Sequence, residues 1–217
     1  NVLNNTKYSI WHTDFSLKNY PLSTNQLSFI KMAFIKTEFP GLIIIEPTVF
    51  KDSRGYFFES YNENNFKAEG IDIRFVQDNQ SKSSYGVIRG LHYQLNPHAQ
   101  TKLVRVLSGK ILDLAVDIRQ GSPTYGKAFS IELSAENNKQ LLIPKGFAHG
   151  FSVLSETAEV MYKCDVFYNK ESEAGIAFND TELNIDWKIP ADKAVVSHKD
   201  LILPSIINCK NNFVFDR

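Results

Sequence analysis

Two histidines, His92 and His149, stand in apolar segments of the sequence that have the character of β-strands. A neutral imidazole can take up a proton near neutral pH, and it is also the commonest metal ligand in proteins. By residue pattern alone, however, a single His in a strand is more often a structural residue than a functional one. What these two histidines could do therefore depends on the residues that accompany them.

His149 lies in the stretch IPKGFAHGF, whose Pro-x-Gly-x-x-His core resembles the second motif of the cupin superfamily. In that motif the Pro and Gly set a tight turn, and the His points into a barrel from the next strand. Many cupins bind a metal through this His, an earlier His-x-His and a Glu. Here the earlier stretch offers only His92, with Gln94 where the second His would stand. Two imidazoles fall short of the three protein ligands of a catalytic zinc or iron site, so we predict no bound metal.

A larger set of motifs surrounds His92. The stretch VIRGLHYQ at residues 87–94, followed by KLVRV at 102–106, resembles the dTDP-4-dehydrorhamnose 3,5-epimerase family. Further blocks of that family occur in its order between about residues 33 and 204, and the whole set is far more specific than any single block. These blocks are DSRGYFFE at 52–59, QDN at 77–79, PKGFAHGF at 144–151, YK at 162–163 and SHKD at 197–200.

The resemblance implies chemistry on a nucleotide-linked 4-keto sugar. The ketone at C4 acidifies the hydrogens on C3 and C5, because loss of either gives an enolate. Epimerisation at each carbon needs a base on one face of the sugar, an acid on the other and a group that stabilises the enolate oxygen. No hydride leaves, so we expect no cofactor, and the sequence contains no GxGxxG motif of a nicotinamide site.

Four residues receive catalytic roles from the resemblance. It implies that His92 is the base, and that Asp200 bonds the other ring nitrogen and so fixes the tautomer and stabilises the imidazolium. Tyr162 would return the proton from the opposite face, and Lys102 would stabilise the charge on the C4 oxygen. Outside this context, Tyr162 would be read as core, Asp200 as a helix cap or turn residue, and Lys102 as a surface charge.

The rest of the implied substrate is a nucleoside diphosphate, whose oxygens favour the planar fork of an Arg side chain. We expect a dTDP-linked 4-keto-6-deoxy sugar, converted to dTDP-4-keto-L-rhamnose for rhamnose-containing polysaccharide. A tyrosine, Tyr168, resembles the residue that stacks on the thymine. The candidates for substrate binding are Arg54, Glu59, Gln77, Asn79, Arg89, His149, Tyr168, Glu173 and Lys199.

Other functions stay open at this point. Relatives of the same fold epimerise a single carbon or isomerise a related dTDP-keto-sugar, and Tyr162 favours epimerisation at both carbons without settling it. A non-catalytic cupin that binds sugar nucleotides would have no need of His92, Lys102, Tyr162 and Asp200 together. A metal-dependent cupin dioxygenase would contain stoichiometric iron or another metal.

Short strands must position these residues. Phe and Tyr number 16 and 9, and Gly and Pro interrupt the chain at short intervals. The pattern predicts one helix over residues 62–69 and a hairpin at Ser108-Gly109. It favours an all-β fold, a cupin-type jelly-roll barrel, which is an antiparallel β-sandwich, with a few short helices. The predicted strands are at 42–46, 56–60, 74–79, 87–93, 102–108, 110–117, 127–133, 140–143, 149–153, 158–164 and 175–178.

Composition excludes several classes of protein. Lys+Arg and Asp+Glu are equal at 24 each, so the chain lacks the cationic surplus of a general nucleic-acid binder. Its longest apolar runs are too short to cross a bilayer, so we predict no membrane partner. Two cysteines, Cys164 and Cys209, offer no disulfide framework, which favours reduced thiols and a cytoplasmic location.

The 217 residues suffice for one domain of ordinary size. Residues 1–31 are polar and rich in Asn and Ser, and we expect them to be a non-native or disordered leader. Residues 32–204 are predicted to form the cupin epimerase domain, and residues 205–217 a peripheral C-terminal tail. By the resemblance we also expect a homodimer, in which a strand within residues 34–46 crosses to the partner and Arg54 or Glu59 serves the partner's site.

Overall fold

The computed structural model describes residues 32–216, so the predicted leader at residues 1–31 lies outside the described residues. Within them the two α-helices have six and four residues, and no helix is long and apolar enough to span a membrane. The elements in chain order are β1 Ala33–Lys36, β2 Ile43–Glu46, β3 Phe50–Asp52, β4 Gly55–Phe57, α1 Glu63–Ala68, β5 Gln77–Ser84, β6 Val87–Gln94, β7 Lys102–Ser108, β8 Lys110–Asp117, β9 Ala128–Ser134, β10 Gln140–Ile143, β11 Phe147–Val153, β12 Thr157–Cys164, β13 Glu173–Gly175, β14 Val195–Val196 and α2 His198–Leu201.

The strands form two antiparallel sheets. The first sheet has the order β1-β2-β10-β7-β12-β5, and the second has the order β13-β6-β11-β8-β9, with β14 added in parallel beside β6. A separate hairpin joins β3 and β4. Apart from the consecutive pairs β1-β2 and β8-β9, neighbours in each sheet come from separate parts of the chain, as in a jelly roll. The predicted all-β jelly-roll fold is confirmed.

Alternation along β8 separates two apolar clusters. Ile111 and Ala115 belong to the cluster between the sheets, which also includes Val104 of β7 and Phe151 of β11. Asp113 alternates with them and so shares their face of the strand. The residues that alternate with these are buried in a second cluster, packed with Trp187 and Phe213 of the C-terminal region. They are Leu112, Leu114 and Val116.

The predicted hairpin at Ser108-Gly109 is wrong. Strands β7 and β8 flank this turn but belong to different sheets and do not pair. Gly109, with φ of +75°, carries the chain from one sheet to the other, and a Cβ there would lie 2.0 Å from the carbonyl oxygen of Thr157. β8 is buried along nearly its whole length and pairs with β11 on one side and β9 on the other, both in the second sheet.

Other element boundaries also differ from those predicted. The strand predicted at 74–79 is β5, which begins at Gln77 and continues through the polar run QDNQSKSS. The strand predicted at 175–178 is β13, which ends at Gly175. The helix predicted at 62–69 is α1, and the side chain of Asn62 caps it by accepting from the backbone amides of residues 64 and 65.

The C-terminal segment packs against the second sheet. Phe213 is buried in the second cluster, and the hydroxyl of Tyr93 donates to the carbonyl of Lys210 at 2.5 Å. Gln120 and Val214 form an isolated bridge. The predicted tail, as far as residue 216, is therefore in contact with the domain and covers one face of it.

Candidate active site

A cavity of about 630 Å³ is lined by residues of both sheets. Its volume lies in the range of small-molecule sites. The four predicted catalytic residues, His92, Lys102, Tyr162 and Asp200, all line it. Six of the predicted binding residues line it as well, and these are Asn79, Arg89, His149, Tyr168, Glu173 and Lys199.

The first sheet contributes Lys102 and Tyr162 from neighbouring strands. Lys102 begins β7 and pairs with Cys164 of β12, two residues from Tyr162. Diagonal positions of this kind share one face of a sheet. The Lys102 Nζ accordingly lies 5.7 Å from the centre of the Tyr162 ring. Asn79 of β5 pairs directly with Tyr162 and adds an amide to the same wall.

The second sheet contributes His92 and His149, which are paired residues on β6 and β11. His92 and Tyr162 therefore reach one cavity from opposite sheets. A sugar ring held between the sheets would meet an imidazole on one face and a phenol on the other. Two-sided acid–base chemistry needs this arrangement.

Asp200 fixes the orientation of His92. The Nε2 of His92 lies 2.8 Å from Oδ1 of Asp200, and the backbone amide of Gly90 donates to Oδ2 at 3.3 Å. Asp200 lies in α2, whose cap residue Ser197 accepts from its backbone amide at 3.2 Å. Burial alone would raise the pKa of the Asp200 carboxyl, but the hydrogen bond and charge of His92 and the Gly90 and Ser197 bonds hold this pKa below its usual value.

The tautomer of His92 follows from this pairing. An ionised Asp200 only accepts hydrogen bonds, so the Nε2 of His92 carries the hydrogen and Nδ1 carries a lone pair. Among residues 32–216, Nδ1 has no hydrogen-bond partner. The side chain of His92 is 30% exposed. The Nδ1 atom is therefore an available proton acceptor in the cavity.

A second His–Asp pair lies next to the first. The Nε2 of His149 lies 2.8 Å from Oδ1 of Asp113, and both side chains are buried. The Oδ2 of Asp113 is buried without a hydrogen-bond partner. Burial lowers the pKa of His149, although the charge and hydrogen bond of Asp113 oppose the shift. His149 is thus held neutral over a wider pH range than an ordinary His.

Lys102 and Tyr162 present unpaired functional atoms to the cavity. Within the described part of the chain, neither the Nζ of Lys102 nor the hydroxyl of Tyr162 makes a hydrogen bond or ion pair. Burial lowers the pKa of Lys102, and the charges of Cys164, Asp113 and Glu173 oppose this shift. Burial raises the pKa of Tyr162, so the phenol keeps its proton.

Three residues from different segments meet beside the cavity. The hydroxyl of Tyr168 donates to Oε2 of Glu173 at 2.9 Å, and the Nζ of Lys199 donates to Oε1 at 2.5 Å. Burial would raise the pKa of Glu173, but these two partners lower it overall. The Tyr168 ring is otherwise solvent-exposed and available for stacking.

Sequence comparison agrees with this geometry. The family model of dTDP-4-dehydrorhamnose 3,5-epimerase matches residues 36–208. The chain belongs to this family. A curated dTDP-4-dehydrorhamnose 3,5-epimerase from Shigella flexneri is 54% identical over 171 residues, which cover 78% of this chain and 93% of the relative. The predicted family and the predicted enzyme class, an isomerase that acts as an epimerase, are confirmed.

Solved structures of the family share the fold. The dTDP-4-dehydrorhamnose 3,5-epimerase from Elizabethkingia anophelis is 57% identical, with a TM-score of 0.77 over 80% of this chain and 96% of that one. An epimerase from Legionella pneumophila in complex with dTDP-4-keto-L-rhamnose is 47% identical, with a TM-score of 0.78 over 82% of this chain and 94% of that one.

Three of the predicted substrate-binding residues do not line the cavity. Arg54 lies in the turn between β3 and β4, where its guanidinium is 2.6 Å from Asp52. Glu59 accepts from the side chain of Asn62 at 3.3 Å. Gln77 donates to Asn79 at 3.0 Å and accepts from the backbone amide of Tyr168, so it supports two cavity residues.

Asp113 and Gln94 are among the residues of this site that carry no predicted role. Asp113 is the partner of His149, and its signal was a charged residue inside the apolar run ILDLAV. Gln94 lines the cavity. In the sequence it is notable only because it stands where metal-binding cupins have the second His of His-x-His. Within residues 32–216, no group of three or more His, Cys, Asp or Glu side chains could hold a metal ion.

Proposed function

We propose that this chain converts dTDP-4-keto-6-deoxy-D-glucose to dTDP-4-keto-L-rhamnose by proton removal and return at C3 and C5. The observation that carries the proposal is the placement of His92 and Tyr162 on opposite sheets around one cavity. Lys102 lies beside Tyr162, and Asp200 lies behind His92. Family membership supplies the substrate class.

The first step is proton removal by the Nδ1 of His92. The electron pair of the broken C–H bond moves to the C4 oxygen and forms an enolate. Asp200 accepts the Nε2 hydrogen and stabilises the imidazolium that results. Lys102, as an ammonium without another partner, stabilises the enolate oxygen, and its partly buried position strengthens that interaction.

The second step is proton return from the other face. Tyr162 donates its phenolic proton to the carbanion carbon, which inverts the configuration. The electron pair of the enolate re-forms the C4 ketone. His92 then releases its proton to solvent, which its partial exposure allows, and Tyr162 is protonated again before the next carbon reacts. The whole cycle needs no cofactor.

Binding of the nucleotide part involves residues around the cavity and, in our proposal, a second copy of the chain. Arg89 reaches the cavity as a diphosphate contact, and Tyr168 offers a ring for the thymine. Arg54 and Glu59 lie outside this cavity, which supports a homodimer in which they complete the partner's site. A cytoplasmic location and a place in rhamnose supply remain parts of the same proposal.

The test is solvent exchange followed by NMR. The protein is incubated with dTDP-4-keto-6-deoxy-D-glucose in D₂O, and deuterium is measured at C3 and C5. We expect incorporation at both carbons and formation of the L-rhamno product. Exchange at only one carbon would contradict double epimerisation, and activity that depends on a metal found by elemental analysis would contradict the mechanism.

A matched variant separates catalysis from binding. His92→Asn should slow exchange at both carbons by about 10³-fold while dTDP still binds, as measured by calorimetry. Tyr162→Phe should keep proton removal by His92 but slow proton return from the opposite face. Deuterium should therefore enter the substrate faster than the epimerised product forms. A chain that binds dTDP but shows no His92-dependent exchange would instead be a binding module.

A further inference from the structure

Gln94 occupies the position at which metal-binding cupins carry their second His, and its side chain has a different task here. It is 4% exposed. Its Nε2 donates to the carbonyl of His98 at 2.7 Å and, over a longer 3.4 Å, to that of Phe167. Its Oε1 accepts from the backbone amide of Asn169 at 2.7 Å. One buried amide thus ties β6 to two loops.

The three partners fix which way the amide points. A reversed amide would set its oxygen against two carbonyl oxygens and its nitrogen against an N–H group. A neutral imidazole has one donor and one acceptor, so a His at this position would leave at least one of the two carbonyls without its bond. The position therefore selects a side chain with two donors and an acceptor at one end.

Two more glutamines hold the same segment of the chain. The Nε2 of Gln100 donates to the carbonyl of Val166 at 2.8 Å. The Oε1 of Gln77 accepts from the backbone amide of Tyr168 at 2.9 Å. We call Gln77, Gln94 and Gln100 the glutamine clamp. Together they bond the backbone of every residue from 166 to 169.

The clamped segment presents aromatic rings to solvent. Phe167 and Tyr168 are 67% and 55% exposed although their backbone is held from three directions. An exposed ring on an unsupported loop would lose conformational freedom when a flat ligand stacks on it, and this loss weakens binding. A ring on a fixed backbone is already oriented, so the clamp favours stacking without touching the ligand.

We propose that the glutamine clamp positions Tyr168 for stacking on the nucleotide base, with Gln94 as its central positioning residue. This inference rests on the proposed function, since it assumes that dTDP lies against Tyr168. It goes beyond that function by assigning a role to Gln94 and Gln100, which bind no part of the reacting sugar in the mechanism above.

The test compares Gln94→Met, a variant of similar length without the amide, with Gln120→Met as the control. Gln120 is exposed and its side chain has no hydrogen bond among the described residues. In the unliganded protein, hydrogen–deuterium exchange of the Asn169 amide should accelerate in Gln94→Met only. Affinity for dTDP, measured by calorimetry, should fall about tenfold, within the range lost with one base–aromatic stack. The KM should rise in parallel, with a much smaller change in kcat.

A double variant tests whether Gln94 acts through Tyr168. Tyr168→Ala with Gln94→Met should weaken dTDP binding no more than Tyr168→Ala alone, because the ring to be positioned is gone. If the losses of dTDP affinity from the two substitutions multiply, Gln94 does not act through Tyr168 and the proposal is overturned. Unchanged amide exchange in Gln94→Met, or faster exchange with unchanged dTDP affinity, would also overturn it.

Failure of the proposed function itself has a different signature. If the wild-type chain binds no dTDP, or if Tyr168→Ala leaves dTDP affinity unchanged, the assumed nucleotide position is wrong and the role of the clamp falls with it. Should Gln94→Met fail to fold, Gln100→Met removes only the bond to Val166. Gln100→Met should likewise accelerate amide exchange and lower dTDP affinity, by smaller factors than Gln94→Met. Unchanged exchange and unchanged affinity in this variant would overturn the proposal.

Discussion

The two His–Asp pairs of the site share the same bond between Nε2 and Oδ1, at 2.8 Å in each, but differ in exposure and in how the carboxylate is bonded. In His92–Asp200 the imidazole is partly exposed, and both oxygens of the carboxylate are bonded. In His149–Asp113 both side chains are buried, and one carboxylate oxygen has no partner. The two histidines are nevertheless direct neighbours across β6 and β11.

This difference assigns distinct tasks to the pairs. A base must exchange its proton with solvent after each turnover, and only His92 has that access. His149 is held neutral by burial, which suits a fixed hydrogen-bonding group better than a proton carrier. The unpaired oxygen of Asp113 also leaves a negative charge that acts on Lys102. In the proposed mechanism the first pair therefore carries the proton, and the second pair tunes the cavity.

The largest expected effect on kcat comes from replacing each of the two histidines separately. His92→Asn should lower kcat for epimerisation by about 10³-fold, because a positioned general base contributes 10²–10⁴-fold. His149→Asn should lower it by only about tenfold, since it removes a hydrogen-bonding group. Product formation is followed by NMR. Equal losses in the two variants would break the distinction between the pairs.

The carboxylates should show the same contrast at a smaller scale. Asp200→Asn keeps the shape but allows the wrong His92 tautomer, so kcat should fall by about 10²-fold or more. Asp113→Asn should cost much less at neutral pH. Steady-state kinetics of both variants, with dTDP affinity as the control for folding, decide the point. A larger loss in Asp113→Asn would reverse the assignment.

The influence of Asp113 on Lys102 should appear in the alkaline limb of the pH–rate profile. Lys102 acts as an ammonium, so its contribution is present below its pKa and lost as the pH rises through it. Burial lowers this pKa from 10.5, and the charge of Asp113 raises it again. Asp113→Asn should therefore move the limb to lower pH. A limb that stays in place would show that the two groups do not interact.

The smallest effect concerns stability. Because the pKa of His149 is lowered from 6.5 in the folded state, the unfolded chain takes up its proton first as the pH falls below 6.5. Stability should thus decrease as the pH falls from 7.5 to 5.5, by at most about 1.4 kcal/mol, because this interval extends only one pH unit below the unfolded-state pKa of 6.5. His149→Gln lacks the titration and should lose less over this interval in urea unfolding. Parallel losses would indicate that His149 is not responsible.

Much of this fold was predictable, because most strands have strong local signals. The alternation in β8 and the flanking glycines predict strands whose bounds the structure nearly reproduces. The partner of a strand has no local signal, and this is why the sequence at Ser108-Gly109 predicts a hairpin that does not form. Which sheet receives β8 is decided by burial on both of its faces, a property of the whole domain.

The candidate site was predictable to the extent that its residues lie in motifs. His92, Lys102, Tyr162 and Asp200 were each named from sequence, and all line one cavity. Gln94, Gln100 and Asp113 are not named from sequence, because hydrogen bonds between segments far apart in sequence depend on register and packing. Gln94 in particular was visible only as a departure from another pattern.

The bond between His92 and Asp200 joins residues 108 positions apart in the chain. Closing so long a loop costs conformational entropy that local structure cannot offset, so this pair can form only after most of the jelly roll has assembled. Partly folded chains would hold the base without its orienting carboxylate. Catalytic activity in this protein is consequently a reporter of complete folding, and a refolding chain should regain turnover last.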